Sequence, residues 1–402
     1  MNTREIMAND RLVKDLKHEV SNHILPFWMA LIDEEYGGYY GKVNYDLKIE
    51  EKAAKGGIFT ARLLWSFSSA YRVLGDGVYL KHAKHAYGFL MNYCMDKENG
   101  GIFWMLDHKG RVTDDRKHVY AQAFAIYALS EYYLASHDQE ALEQALALFN
   151  LIETKGYHSE LRSYGEEYTR DWVIKDNEML SAPSDSVAAI TTNTLLHILE
   201  AYTTLYTATQ NNCVKEALSA LVDIFQTRIW NKSTNHMRVF FEKDWTEKSA
   251  VKSYGHDIEA TWLYDKALNV LGLENDDAYT AFVSEIADNI QFVAMDKEGC
   301  MYNEAENGQV DKTRIWWCQA EAMVGFYNMY ERTNEVKYLN LVERLWAYTS
   351  LHLIDERAGG EWYYSVEPNG EKTERPVVEP WKTPYHNVRA CLEIIERAGM
   401  GE

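Results

Sequence analysis

Six clusters of glycine and aromatic residues recur at a nearly constant interval along this 402-residue chain, and no other feature restricts its fold so strongly. They are EEYGGYYGKVNYD (34–46), NGGIFWMLDHKGR (99–111), ELRSYGEEYTRDW (160–172), NHMRVFFEKDW (235–245), EGCMYNEAENG (298–308) and AGGEWYYSVEPNG (358–370). With Tyr39, Phe103, Tyr164, Phe240, Tyr302 and Trp362 as markers, the steps are roughly 60 residues, with one of about 76, a period that denotes a repeat architecture. Each cluster reads as a short hairpin. The third lacks the double glycine, which alters loop shape only.

Between the clusters the periodicity is helical. In TARLLWSFSSAYRVL, HVYAQAFAIYALSEYYLA, AITTNTLLHILEAYTTLY, IEATWLYDKALNVLG, QAEAMVGFYNMYERT and NVRACLEIIERAG, apolar residues recur three and four apart. Each interval has room for about two helices, and only six prolines in the chain fits long uninterrupted ones. Six helix pairs joined by hairpins describe an all-α fold, an (α/α)6 barrel in which one ring of helices encloses another and short β-hairpins crowd one rim. No Pro-, Gly- or Ser-rich linker divides the chain, so residues 1–402 read as a single domain.

A net charge of −20 argues against nucleic acid or anionic membranes as partners, because both select basic surfaces. The N-terminal segment has no apolar run like that of a secretory signal, and no stretch is long and apolar enough to span a bilayer. The five cysteines, Cys94, Cys213, Cys300, Cys318 and Cys391, are scattered and odd in number. A reduced, cytoplasmic monomer acting on a small neutral or cationic molecule is expected.

Chemistry is concentrated around three histidines: His197 in TTNTLLHILEAY, His256 in SYGHDIEATW and His386 in EPWKTPYHNVRACLEI. Imidazole gives and takes protons near neutrality. Glu200 follows His197 by three residues and Glu259 follows His256 by three, so each pair shares a helix face and the carboxylate is placed to orient the ring. Asn193, four before His197, adds an amide that recognises hydroxyls. Gly255 before His256 and Pro384 before His386 put these residues near helix starts, where one rim would face a common pocket.

Trp316, Trp317, Trp381 and Tyr120 are candidate platforms for sugar stacking, whereas Trp65, Trp230 and Trp346 read as core. Arg62 lies in an otherwise apolar helix and is costly to bury unpaired; a substrate oxygen or a carboxylate such as Glu321 is its expected partner. His82 and His85 in KHAKHA read as structural. Three rival readings stay open. Three histidines and Glu259 are acceptable zinc ligands, although their spacing lacks the local i, i+4 histidine pair of helical zinc motifs. A glycoside hydrolase would need two opposed carboxylates, for which Asp185, Asp257 and Glu259 are available. A carbohydrate-binding role without catalysis would need the tryptophans and not the histidines.

YGHDIEATWL (254–263) and WKTPYHNVRACLEII (381–395), with NTLLHILEAY (193–202) and KHVYAQAFAIYALSEYY (117–133), resemble the N-acylglucosamine 2-epimerase superfamily, and within it the cellobiose 2-epimerase branch. The resemblance covers nearly the whole chain, and the segment around Trp381 and His386 is its most specific piece. It implies inversion at C2 of the reducing-end glucose of β-1,4-linked disaccharides, a step in mannan degradation, with no metal, nucleotide or other cofactor. It also implies catalytic roles for His197, His256 and His386, and substrate binding by Arg62, Asp185, Asn193, Glu259, Trp317 and Trp381. A monosaccharide epimerase or aldose–ketose isomerase of the same superfamily would carry much the same motifs.

Overall fold

The computed structural model describes residues 3–178 and 187–400. Its helices, in chain order, are α1 (Thr3–Glu19), α2 (Leu25–Met29), α3 (Gly57–Leu74), α4 (Gly77–Phe89), α5 (Val119–Ser136), α6 (Gln139–Leu151), α7 (Thr192–Thr209), α8 (Asn212–Ile224), α9 (Tyr254–Leu271), α10 (Asp277–Val293), α11 (Trp316–Thr333), α12 (Val336–His352) and α13 (Tyr385–Met400). The odd-numbered helices from α3 to α13 form an inner ring, each packed on the next and α13 closing on α3. Outside them α4, α6, α8, α10, α12 and α1 each cover the inner helix paired with them.

Side-chain pattern explains which helix goes where. In α5 every residue from Val119 to Tyr132 is buried, as a helix enclosed on all sides requires. Outer helices bury one stripe: Ala141, Leu142, Ala145, Leu148 and Phe149 in α6, and Val214, Leu218, Leu221 and Val222 in α8. The expected (α/α)6 arrangement is therefore the one observed.

At one end of the barrel the inner helices α3, α5, α7, α9 and α11 each give way to their outer partners through a left-handed residue, and four of these five connections add a side-chain cap. Gly75, His137, Gln210, Gly272 and Asn334 have positive φ. The caps Asp76, Asp138, Asn211 and Asp276 accept backbone N–H groups of α4, α6, α8 and α10.

The opposite rim is built from strands of two or three residues. The segment leading into each inner helix pairs antiparallel with the glycine–aromatic cluster that follows the next outer helix. Lys55–Gly56 pairs with Met105–Leu106, Lys117–His118 with Glu167–Tyr168, Ile190–Thr191 with Phe240–Phe241, Lys252–Ser253 with Glu304–Ala305, and Arg314–Ile315 with Ser365–Val366. A bridge between Val43 and Val378 completes the circuit. The clusters form the short hairpins that the sequence suggested, as in Met105–Leu106 with Val112–Asp114 and Glu304–Glu306 with Gln309–Asp311, and each also lends a strand to its neighbour.

Buried polar clamps hold these connections. Asp33 and Asp96 each accept two backbone N–H groups of their own turn, and take Lys55 at 2.5 Å and Lys117 at 3.0 Å from the next lead-in strand. Gln122 in α5 and Gln319 in α11, at equivalent places, each bond both the N–H and the C=O of one turn residue, Ile102 and Met301.

Candidate active site

The rim described above fixes where chemistry can occur, because it aims six helix N-termini at one opening. Tyr120, Asn193, Trp317 and His386 are the second residues of α5, α7, α11 and α13; Trp316 is the first of α11, and His256 the third of α9. One turn deeper, Arg62, Phe124, His197, Glu259 and Glu321 are each the sixth residue of their inner helices. The repeat therefore delivers two layers of side chains to the barrel axis.

A cavity of 360 Å³ opens between these layers. Of the residues expected from sequence, Arg62, Tyr120, Asn193, His197, His256, Glu259, Trp316, Trp317, Trp381 and His386 line it, and Tyr364 joins them. Asp185 lies outside the described residues. Glu321 is fully buried beneath the cavity and acts on it through His386. A larger groove of 1080 Å³, lined in part by Glu166, Lys175 and Lys243, holds none of the three histidines.

All three histidines are anchored through Nδ1: His197 to Glu200 at 2.9 Å, His386 to Glu321 at 2.7 Å and His256 to the Ser253 hydroxyl at 2.7 Å. That leaves each Nε2 without a protein partner among the described residues. Trp317 lies against both His256 and His386, with ring centroids 4.9 and 5.4 Å away. His197 sits edge-on to Tyr120 at 5.0 Å.

Two sequence expectations are corrected here. Glu259 does not orient His256; its Oε1 is taken by Arg389, while its Oε2 is buried with no partner among the described residues. Nor is Glu321 the partner of Arg62. Arg62 donates to the Tyr120 hydroxyl at 2.8 Å and the Trp381 carbonyl at 3.2 Å, with its guanidinium over the Phe124 ring. The cause of both corrections is Arg389, which sequence reasoning passed over. It is completely buried in α13 and bonds Glu200, Glu259 and Glu321 together, so it draws to itself the carboxylates that helical spacing alone would give to other partners. Its signal was akin to the one that marked Arg62, an arginine set between apolar residues, here Val388 and Ala390–Leu392. Tyr385, also missed, donates its hydroxyl to Glu200 at 2.6 Å.

Residues 38–390 match the N-acylglucosamine 2-epimerase (GlcNAc 2-epimerase) family. The chain belongs to that family. It is 43% identical to a cellobiose 2-epimerase of Ruminococcus albus, over 96% of this chain and 99% of that protein. The solved cellobiose 2-epimerase from Bacillus thermoamylovorans B4167 superposes with a TM-score of 0.95 at 51% identity, covering 96% of this chain and all of that one. A D-mannose isomerase structure shares the fold, with a TM-score of 0.82 at 21% identity over 96% of this chain and 98% of that one.

Electrostatics in this member of the N-acylglucosamine 2-epimerase family are set by burial and by Arg389. Burial lowers the pKa of all three histidines, that of His256 to about 4. Burial opposes the charge of Glu200, but Arg389 outweighs it and holds that carboxyl down at about 2. An ionised Glu200 requires the proton of His197 to sit on Nδ1, so the Nε2 lone pair faces the cavity. Glu259 is raised by burial and then by the nearby Glu321. Glu259, Glu321 and His386 also offer three ligand atoms within 4.8 Å of one another, a donor set suited to a divalent ion. Arg389 already supplies a cation between the two carboxylates, so the set does not fit a metal without displacing that side chain.

Proposed function

We propose that the protein is a cofactor-independent isomerase that inverts C2 of the reducing-end glucose of β-1,4-linked disaccharides, converting cellobiose reversibly into 4-O-β-D-glucosyl-D-mannose. The likeness to cellobiose 2-epimerases over nearly the whole chain supports the reaction. The observation that carries the chemistry is the set of three histidines around one cavity, each held by Nδ1 and presenting Nε2.

Once the sugar ring opens, the hydrogen on C2 lies beside an aldehyde and is removable by a positioned base, provided the enediolate oxygens are stabilised. Inversion requires the proton to leave one face of C2 and return to the other. Two acid/base groups suit this, and we assign them to His256 and His386, which both flank Trp317. Burial favours the neutral, proton-accepting form of each ring; the ring that returns a proton to C2 first takes one from solvent, and the ring that received the C2 proton releases it there. Arg62 donates to the oxygen on which charge develops, and the Nε2 lone pair of His197 accepts from the hydroxyl of the other, so that the two residues hold O1 and O2. Glu259 Oε2 and Asn193 Oδ1, both buried and without partners among the described residues, accept sugar hydroxyls. Tyr120, Trp316, Trp317 and Trp381 supply faces for the pyranose rings, and Asp185 is kept as a sugar-binding residue on the resemblance alone. We also read the protein as a monomer, and its five free cysteines suit a reducing cytoplasm.

The test is proton NMR of cellobiose, and separately of mannose, incubated with EDTA-treated protein in heavy water. A mannose-type reducing-end signal from cellobiose, with deuterium at C2, is expected. Exchange confined to mannose would move the enzyme to monosaccharides, and release of glucose would make it a hydrolase.

A further inference from the structure

A serine or threonine at a helix N-cap ordinarily turns its hydroxyl inward to accept an N–H of the first turn. Thr191 does this for α7, accepting Thr194 N–H at 3.2 Å. Ser253 occupies the equivalent place before α9, with the extended backbone of a cap residue (φ −86°, ψ 98°), yet it makes no capping bond. Its Oγ lies instead 2.7 Å from Nδ1 of His256, the third residue of that helix. The helix start forgoes its cap, and the hydroxyl goes to the imidazole.

That exchange sets His256 apart from the other two histidines. His197 and His386 are backed by carboxylates, which only accept hydrogen bonds. A hydroxyl donates as well as accepts. It can therefore hold the His256 ring whichever nitrogen carries the proton, and it brings no negative charge to trap a proton there. Among the described residues no other hydrogen bond reaches His256; the second constraint on its orientation is the Trp317 ring at 4.9 Å. Gly255 leaves room for that ring, since a Cβ there would collide with it.

We propose that Ser253 is the positioning residue of His256, spending a helix cap to aim Nε2 at C2 through both halves of a reversible proton transfer. This rests on the acid/base role assigned to His256 above. The test compares Ser253→Ala, Ser253→Thr and His256→Ala for kcat and KM on cellobiose and for Tm. Ser253→Ala should lower kcat roughly tenfold, part of the ~100-fold or more that a general acid/base contributes. KM and Tm should stay level, because no cap is lost, and Ser253→Thr should restore kcat. A fall in Tm with unchanged kcat would make Ser253 a plain cap and overturn the assignment, as would a threonine variant as slow as the alanine one. If His256→Ala is inactive while Ser253→Ala matches wild type, only the Ser253 assignment fails. If His256→Ala keeps its turnover, the acid/base reading fails and the assignment falls with it.

Discussion

The two ends of the inner ring treat buried polar groups in opposite ways. At the end where inner helices stop, charges are matched: Arg72 pairs with Glu131 and Glu396, Arg332 with Asp265, and Glu393 with both Lys266 and Arg397. Burial opposes the charge of Glu393, and those two cations outweigh it and keep its carboxyl down at about 2. At the end where inner helices start, Asn193 Oδ1, Glu259 Oε2 and Arg62 Nε are buried without partners among the described residues. Unpaired buried polar groups cost stability. Such groups also occur singly elsewhere, as at Ser130 Oγ and Glu274 Oε2, but these three belong to residues that line one cavity, as a ligand site would require.

Arg389 tests where scaffold gives way to site, because both of its terminal nitrogens are matched to carboxylates, like the cations of the closed end, while it lies under the cavity. Arg389→Met should strip the cation from three buried carboxylates and destabilise the protein by about 3–5 kcal/mol in urea unfolding, as breaking buried ion pairs does. A mild effect would mean that the carboxylates are protonated and the contrast overstated. His386→Ala should do the reverse, lowering turnover by at least ~100-fold with Tm nearly unchanged, seen by deuterium entry at C2. A large drop in Tm would place His386 with the scaffold.

At the closed end, Asp138→Ala removes an oxygen that accepts Glu140 N–H and Ala141 N–H. It should cost about 1 kcal/mol of stability and leave kcat alone. The smallest effect concerns Glu166 at the open rim, whose partners are the Thr191 N–H and the Thr194 hydroxyl and not a cation. Burial outweighs those bonds and pushes its carboxyl up to about 7. A pKa raised on folding adds stability that is full below the unfolded value and lost as pH rises through the folded one. The stability of wild type relative to Glu166→Gln should therefore decline between pH 5 and pH 8, as read by urea midpoints.

Much of this contrast was legible in the sequence, and the illegible part has a physical reason. The two-ring fold could be read because burial on all sides and burial along one stripe leave different patterns, as in α5 and α6. The histidines could be read because His197 and Glu200 sit at helical spacing, and they do bond. The same spacing failed for His256 and Glu259. Spacing within a helix says which groups share a face, but not which neighbour on another helix competes for them, and Arg389 arrives from α13. Tyr364 was invisible for a related reason: it lies in an irregular rim segment, and it is held against Trp316 with ring centroids 4.5 Å apart. Ser253 resembled any cap.

The Val43–Val378 bridge and the packing of α1 on α13 join segments from far apart in the chain. A linear stack of helix pairs frays from its terminal units, each of which is held on one side only. A closed circuit has no terminal unit. Its last contacts form late, because they wait on the longest loop closure. Once they have formed, opening any one pair must strip both of its neighbours together. The circuit that aims six helix starts at one substrate thus also gives the enzyme slow unfolding, a persistence in time rather than a deeper energy minimum.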